Sequence, residues 1–505
     1  ARQIIIRYGV AGSMQMPHMP ATGVSGVDLY SKTIDGGWAW CRGRYSFGDT
    51  VQYKFGGLDS NDQHVPNREY TLYLPLYNTV KWMEVLTPRD CLFRVLPPRQ
   101  EKPVIVYGTS IAQGGVASRP GMAWPAILSR RLDRQVVNLA FSGNGRLEKE
   151  VLDILAEKDP ALFVLDCLPN LVPPGFSVDE IKLRIRNAVA LLQTKRPGVP
   201  ILLTDHDGYT NDGTSSASRR QYEESNRALQ ETFDSLVQSG TKNIYRLTKA
   251  EIGQDIETMV DGVHPSDMGM TRYADAYEKK IRAILDEPTG NLSTTVPVTQ
   301  RRDAAIYDWE TRHDEVLKAN REHKPGLIFI GNSITHYWSG EPVAPIARGT
   351  DSWNKYFTSF NPVNLGFGWD RIENVLWRVY HGELDSIQPA QIVVMIGTNN
   401  LQLNSDAEIV QGLQFLLDAI QRKQPSANIL LMGILPRRGM ESRIALLNRQ
   451  INTLHGSSRL RFADAGKIFL NASGKIDESL FTDGLHPNAT GYDRLGKFIL
   501  AQLNH

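Results

Sequence analysis

Over residues 1 to about 100, the apolar positions fall in short runs. Arg2 to Val10, Thr50 to Phe55 and Arg68 to Leu76 are rich in β-branched and aromatic residues and are punctuated by Gly-Gly, Asn-Asp and Pro. No helix-period stripe accompanies them, so the pattern predicts a small antiparallel β-sandwich over residues 1–100. From about residue 101, short apolar runs alternate with segments of helical period, the signature of a parallel sheet covered by helices. Ser177-Val178-Asp179-Glu180 reads as a capping box opening a helix that stops before Pro197. Ser405-Asp406-Ala407-Glu408 opens a similar helix that stops before Pro425. A short apolar strand follows each proline, Pro200 to Thr204 and Ile429 to Gly433.

The same order of elements therefore occurs twice, and so does a set of chemical groups. Val104-Ile105-Val106-Tyr107 runs into Gly108-Thr109-Ser110-Ile111, and Leu327-Ile328-Phe329-Ile330 runs into Gly331-Asn332-Ser333-Ile334. An Asp-Gly-x-His-Pro box lies 151 residues beyond Ser110, at Asp261 to Pro265, and 150 beyond Ser333, at Asp483 to Pro487. A period near 222 residues implies duplicated domains rather than a solenoid. The Thr-, Pro- and Gly-rich stretch around residues 288–302 reads as a linker. The expected organisation is a sandwich over 1–100, a first α/β domain over 101–287, that linker, and a second α/β domain over 303–505.

A serine, a histidine and an acid are the parts of nucleophilic acyl transfer. A glycine closing a parallel strand lets the chain turn sharply and sets the serine at the carboxyl edge of the sheet, where open α/β sheets bind ligands. Ser110 and Ser333 are the candidate nucleophiles, His264 and His486 the general bases, and Asp261 and Asp483 the groups that orient them. An oxyanion also needs donors. The candidates are Gly143 and Asn170 in the first copy, and Gly368 or Trp369 with Asn399 in the second. Both asparagines follow apolar strands, Ala161 to Asp166 and Ile392 to Ile396.

Composition narrows the classes. Lys plus Arg number 56 against 55 Asp plus Glu, which is no footprint of a nucleic-acid binder. No apolar run approaches the roughly 20 residues of a membrane-spanning helix. Cys41, Cys91 and Cys167 lack metal spacing, and an odd count is no disulfide framework. The chain opens at Ala1 without Met, compatible with a leader removed before this numbering begins.

Ser, Gly, Asn and Asp-x-x-His in that order resemble the four blocks of the SGNH (GDSL-type) hydrolase superfamily. The second half is similar to the catalytic subunits of platelet-activating-factor acetylhydrolases in Asn364 to Gly368, Val375-Leu376-Trp377-Arg378, Gly382-Glu383-Leu384 and Gly397 to Asn400. The first half resembles bacterial SGNH esterases whose N-terminal sandwich carries Gly-x-Asp-Leu-Tyr, here Gly26-Val27-Asp28-Leu29-Tyr30. The resemblance implies two three-layer α/β/α domains with parallel central sheets, both active as serine esterases without metal or cofactor. It implies short acyl, chiefly acetyl, esters. An acetylated polysaccharide or oligosaccharide, xylan among the candidates, is the expected substrate and partner, in a secreted or periplasmic bacterial setting. The alternatives are a lipid acetylhydrolase or lysophospholipase, and a carbohydrate-binding protein with an inactive copy. Oligomeric state is left open. The family's usual Asp before the serine is Thr109 in one copy and Asn332 in the other, and Trp369 stands where the second domain's glycine is expected.

Other residues carry weaker signals. His206 and Asp207 follow a strand, and an Asx-turn with a solvated histidine is expected there. Trp124, Trp338, Trp353 and Trp369 either stack on sugars or pack in the core, with packing expected of each. Arg437 and Arg438 either hold an anion or form a solvated pair. Cys167 is expected in the core.

Overall fold

A computed structural model of the chain describes residues 2–58, 68–385, 387–454, 456 and 458–504. Two compact units divide it, the first running to Pro288 and the second from Thr289, with the short segment Lys32–Gly37 grouped with the second.

Among the described residues, the N-terminal region carries seven strands in two antiparallel sheets. One orders Gly43–Ser46, Val51–Gly56, Gln3–Val10 and Val80–Leu86; the other orders Trp38–Cys41, Asp28–Lys32 and Tyr70–Tyr73. Ile4, Ile6 and Tyr8 alternate inward against Val51, Tyr53 and Phe55, as a half-buried strand requires. Two features differ from the sequence reading. A single helical turn, Ala21–Val24, is present, too short to show a periodic stripe. The run read as Arg68 to Leu76 forms a strand over Tyr70–Tyr73.

Within the first unit, the Gly-x-Asp-Leu-Tyr segment fastens this sandwich to the α/β domain. Asp28 Oδ2 accepts from Arg119 Nη1 at 2.6 Å and from the Gly121 N–H at 2.9 Å, while its Oδ1 accepts from Trp40 Nε1 at 2.8 Å. Tyr30 OH accepts a second bond from Arg119 at 2.7 Å. A buried carboxylate needs such partners.

Each α/β domain has a five-stranded parallel sheet of the same topology. The first orders Ile244–Leu247, Ile201–Thr204, Leu162–Asp166, Val104–Gly108 and Val136–Ala140. The second orders Pro362–Gly366, Leu327–Gly331, Gln391–Met395, Asn428–Met432 and Leu460–Ala463. In chain order both read 2-1-3-4-5, and the switch in direction falls between the first and third strands, where such sheets place their ligands. Alternation along the strands builds the three layers. Ile105 and Tyr107 join the core on one face, and Val104 and Val106 join the core on the other. Ile328 and Ile330 oppose Leu327 and Phe329 in the same way. The two capped helices are Val178–Lys195 and Asp406–Lys423. Ser405 and Glu408 form a reciprocal capping box, whereas Ser177 caps alone because Glu180 turns to Arg184 at 2.9 Å.

The stretch read as a linker is no exposed tether. It forms a short 3₁₀ turn at Ser293–Thr295, and Thr294, Thr295, Thr299 and Gln300 are buried within the second unit. Small hydroxyl residues that suggest a loop by composition here fit under a helix, with Thr294 Oγ1 donating to the Glu408 carbonyl at 2.9 Å. Among the described residues, no helix is long and apolar enough to cross a membrane.

Candidate active sites

Ser110 and Ser333 each begin a one-turn helix directly after the first strand of their sheets. Both serines are nearly buried, while the Asp-x-x-His loops reach them from just before the last helix. Ser110 Oγ lies 2.8 Å from His264 Nε2, and His264 Nδ1 lies 2.7 Å from Asp261 Oδ2. Ser333 Oγ lies 2.8 Å from His486 Nε2, and His486 Nδ1 lies 2.7 Å from Asp483 Oδ2. In each loop the second carboxylate oxygen closes an Asx-type turn. Asp261 Oδ1 accepts from His264 N at 2.8 Å and Val263 N at 3.1 Å; Asp483 Oδ1 accepts from His486 N at 2.8 Å and Leu485 N at 3.0 Å. That turn explains the three-residue spacing, since one carboxylate folds its own loop and orients the imidazole. Burial pushes both aspartates up, but the N–H and imidazole partners outweigh it and hold each below the usual carboxylate range. Both acids therefore stay ionised well into the acid range.

The candidate oxyanion loops follow the second strand of each sheet and share a hydrogen-bond frame. Phe141 N donates to the Gly108 carbonyl at 3.0 Å, and Phe367 N to the Gly331 carbonyl at 3.1 Å. Asn144 N closes on Phe141 at 2.9 Å, and Asp370 N on Phe367 at 3.2 Å. Asn170 Nδ2 donates to the Asn144 carbonyl, and Asn399 Nδ2 to the Asp370 carbonyl at 2.9 Å. Each bond uses one amide hydrogen and leaves the other for a ligand. In this frame Gly143 and Trp369 are counterparts, with φ of +68° and +62°. Neither their N–H groups nor those of Ser110 and Ser333 meet an acceptor among the described residues.

Gly368, the other candidate donor of the second copy, is corrected by this geometry: its N–H already donates to His336 Nδ1 at 3.1 Å. Gly368 is glycine for space, because an added Cβ would lie 2.1 Å from Asp303 Oδ2. The left-handed backbone position falls on Trp369 instead, where an L side chain costs about 1–2 kcal/mol.

Sequence reasoning missed what holds these loops. In the first copy Gln113 Oε1 accepts from Ser142 N at 2.7 Å, while Gln113 Nε2 donates to the Leu76 carbonyl at 2.9 Å, tying the loop to the end of the sandwich. His336 occupies the matching place three residues after Ser333. Burial, with Arg312 and Arg378 nearby, pushes its pKa down to about 2, so its Nδ1 stays free to accept. In addition Gln300 Nε2 and Tyr307 OH both donate to the Gly368 carbonyl at 2.9 Å, and Arg302 Nη2 donates to the Trp369 carbonyl at 3.1 Å. The common position three residues after each serine was the available signal.

The remaining candidates separate. His206 is fully buried, not solvated: its backbone exchanges hydrogen bonds with Asn226 at 2.7 and 2.9 Å, and its ring packs on Tyr209. Asp207 is buried beside it. Trp124, Trp338 and Trp353 are core residues, whereas Trp369 is 48% exposed. Arg438 forms an exposed two-pronged pair with Glu478 at 2.7 Å. Cys167 is buried with Sγ against the Tyr107 carbonyl.

Comparison with known proteins agrees with this architecture. Residues 101–282 and 329–494 each match GDSL-like lipase/acylhydrolase families, and residues 1–92 match the N-terminal domain of SGNH-hydrolase-type esterases. A GDSL-like lipase structure from Bacteroides ovatus is 34% identical, with a TM-score of 0.51 over 57% of this chain and 82% of its own. The alpha1 subunit of human platelet-activating factor acetylhydrolase IB is 29% identical over 189 residues, 36% of this chain and 78% of that protein. The alpha2 subunit from rat is 28% identical over 194 residues, 37% of this chain and 80% of that protein. The chain belongs to the GDSL-like (SGNH) acylhydrolases, ester hydrolases carried here as two tandem domains behind a β-sandwich.

Proposed function

We propose that both domains are working serine esterases that remove acetyl or other short acyl groups from a glycan, in a secreted or periplasmic setting. The observation that carries this reading is the pair of complete serine–imidazole–carboxylate relays, with 2.8 and 2.7 Å links in each copy. Ser110 Oγ attacks the ester carbonyl while His264 Nε2 takes its proton, and Asp261 stabilises the imidazolium. The oxyanion is received by the N–H groups of Ser110 and Gly143 and by the free amide hydrogen of Asn170. Collapse returns the proton to the departing sugar hydroxyl and leaves an acyl-serine, which a water activated by His264 hydrolyses. Ser333, His486, Asp483, Trp369 and Asn399 repeat the sequence. The chemistry calls on no metal or cofactor.

An exposed aromatic beside each oxyanion position, Phe141 at 42% and Trp369 at 48%, supports a sugar-facing site. Of the four tryptophans weighed as sugar platforms, Trp124, Trp338 and Trp353 pack in the core as expected, which leaves Trp369 for that role. The second reading, a lipid acetylhydrolase, is favoured by the likeness to platelet-activating factor acetylhydrolase. Acetate release decides between them, using Ser110→Ala and Ser333→Ala separately on acetylated xylan, other acetylated glycans and an acetylated ether phospholipid. Release from a glycan by each single-serine variant supports the proposal, and release by one alone rejects the claim that both domains act on a glycan. Turnover of the phospholipid alone rejects it.

A further inference from the structure

Among the described residues, one group of His, Cys, Asp and Glu side chains could surround a metal ion, and it lies on the first site alone. His18, Asp261 and His264 each offer a ligand atom, and these atoms lie within 4.8 Å of one another. His18 comes from the N-terminal region. It occupies a two-residue turn closed by reciprocal bonds between Met16 and Met19 at 3.0 and 3.1 Å. Pro17 fixes one φ in that turn, and Met19 beneath it is buried. The His18 ring is exposed and stacks over the His264 ring with centroids 6.0 Å apart. It makes no hydrogen bond among the described residues, so a ligand would displace nothing from it. Among the described residues, the Ser333 site has no histidine in this place; the aromatic ring beside His486 is Tyr337, 5.8 Å away and held by Asp303 at 2.6 Å.

We propose that His18, Asp261 and His264 form an inhibitory site for a zinc-class divalent cation, which closes the Ser110 centre reversibly and leaves the Ser333 centre open. Two imidazoles and a carboxylate are a zinc donor set, with a fourth position left to water. Tetrahedral coordination brings such donor atoms to about 3.3 Å from one another, within reach of a rotation of the exposed His18 side chain. A cation on either ring nitrogen of His264 takes a lone pair or a proton position that the relay needs. Ser110 then has no base. Coordination displaces water from the ion and involves no redox step.

The inhibition rests on the esterase reading of Ser110; the binding does not, and two measurements keep them apart. In Ser333→Ala, where hydrolysis of a generic acetyl ester comes from Ser110, saturating ZnCl₂ should lower the rate about tenfold or more, and EDTA should restore it. In Ser110→Ala, zinc should leave the rate unchanged. In the full chain carrying both serine substitutions, Co²⁺ should give a one-to-one visible band typical of tetrahedral cobalt. Adding His18→Ala should weaken that binding by about 100-fold, since losing even an outer-shell partner costs 10–100-fold. A cobalt band that survives His18→Ala, or equal zinc inhibition of both single-serine variants, overturns the proposal. Absence of ester hydrolysis from both single-serine variants defeats the esterase reading, while the cobalt titration still decides the cation site.

Discussion

The two oxyanion loops reach one geometry from opposite chemical starting points. The first places glycine at φ +68°, where an added Cβ would meet nothing within 4 Å, and the surrounding loop is exposed. The second places tryptophan at φ +62° and surrounds the loop with donors from Gln300, Arg302 and Tyr307. The proposed oxyanion N–H falls on a left-handed residue in both copies. Glycine takes that conformation unaided, whereas tryptophan must be held in it. The lesson is that backbone conformation at a functional position belongs to the environment as much as to the residue. The buried acids differ in degree. Asp370 beneath the second loop pairs with Arg378 at 2.9 Å, and burial still pushes its pKa up to about 6. Asp166, at the end of a strand in the first domain, has no ion-pair partner among the described residues. Burial pushes its pKa up to about 7, with Tyr277 pulling down and Asp207 pushing up.

The largest effect that would test this equivalence comes from the asparagines. Asn170→Ala in the Ser333→Ala background, and Asn399→Ala in the Ser110→Ala background, should each lower kcat by about 10²–10³-fold. Steady-state kinetics on an acetyl ester measures both, and a loss at one site only would break the parallel between the loops. A smaller effect separates them. Gln300→Ala should lower kcat at the Ser333 site about tenfold by loosening the loop, leave the Ser110 site alone, and regain part of the loss when Trp369→Gly is added. Failure of glycine to recover any activity would mean that the brace acts otherwise than on the left-handed backbone. The smallest effect is on stability. Because the folded pKa of Asp166 lies above the usual 3.8, the folded chain keeps a proton between about pH 4 and 7 that the unfolded chain releases, so stability falls as pH rises through that window. Asp166→Asn should therefore raise the first unit's Tm by about 5 °C at pH 8 and by much less at pH 5. Calorimetry at the two pH values checks it, and an equal gain at both would remove the titration from the account.

Much of this was legible in the sequence because the signals were local and repeated. Strand-then-glycine-then-serine, and Asp three residues before His, follow from how a parallel strand ends and how an Asx turn closes. Those rules place Ser110 and His264 on the same sheet edge although they are far apart in the chain. The parts that stayed hidden depend on packing. Nothing local marks His206 as a core residue, since Asn226, which holds its backbone, lies on a later helix. Thr294 and Gln300 sit in a stretch with the composition of a loop, and their burial comes from a helix and an oxyanion loop more than a hundred and about seventy residues downstream, respectively. The resemblance already put Trp369 in the glycine's place, but the reason Gly368 must be glycine stayed hidden, because the Asp303 carboxylate that demands space there comes from just after that stretch.

The central claim is that the chain holds two independent activated serines. Labelling with a fluorophosphonate, followed by intact mass and peptide mapping, tests it most directly. The account predicts two adducts on the native chain, at Ser110 and Ser333, one on each single Ser→Ala variant, and none on the double variant, with loss of ester hydrolysis in step. Adducts at any other residue, or full esterase activity in the double variant, would contradict it.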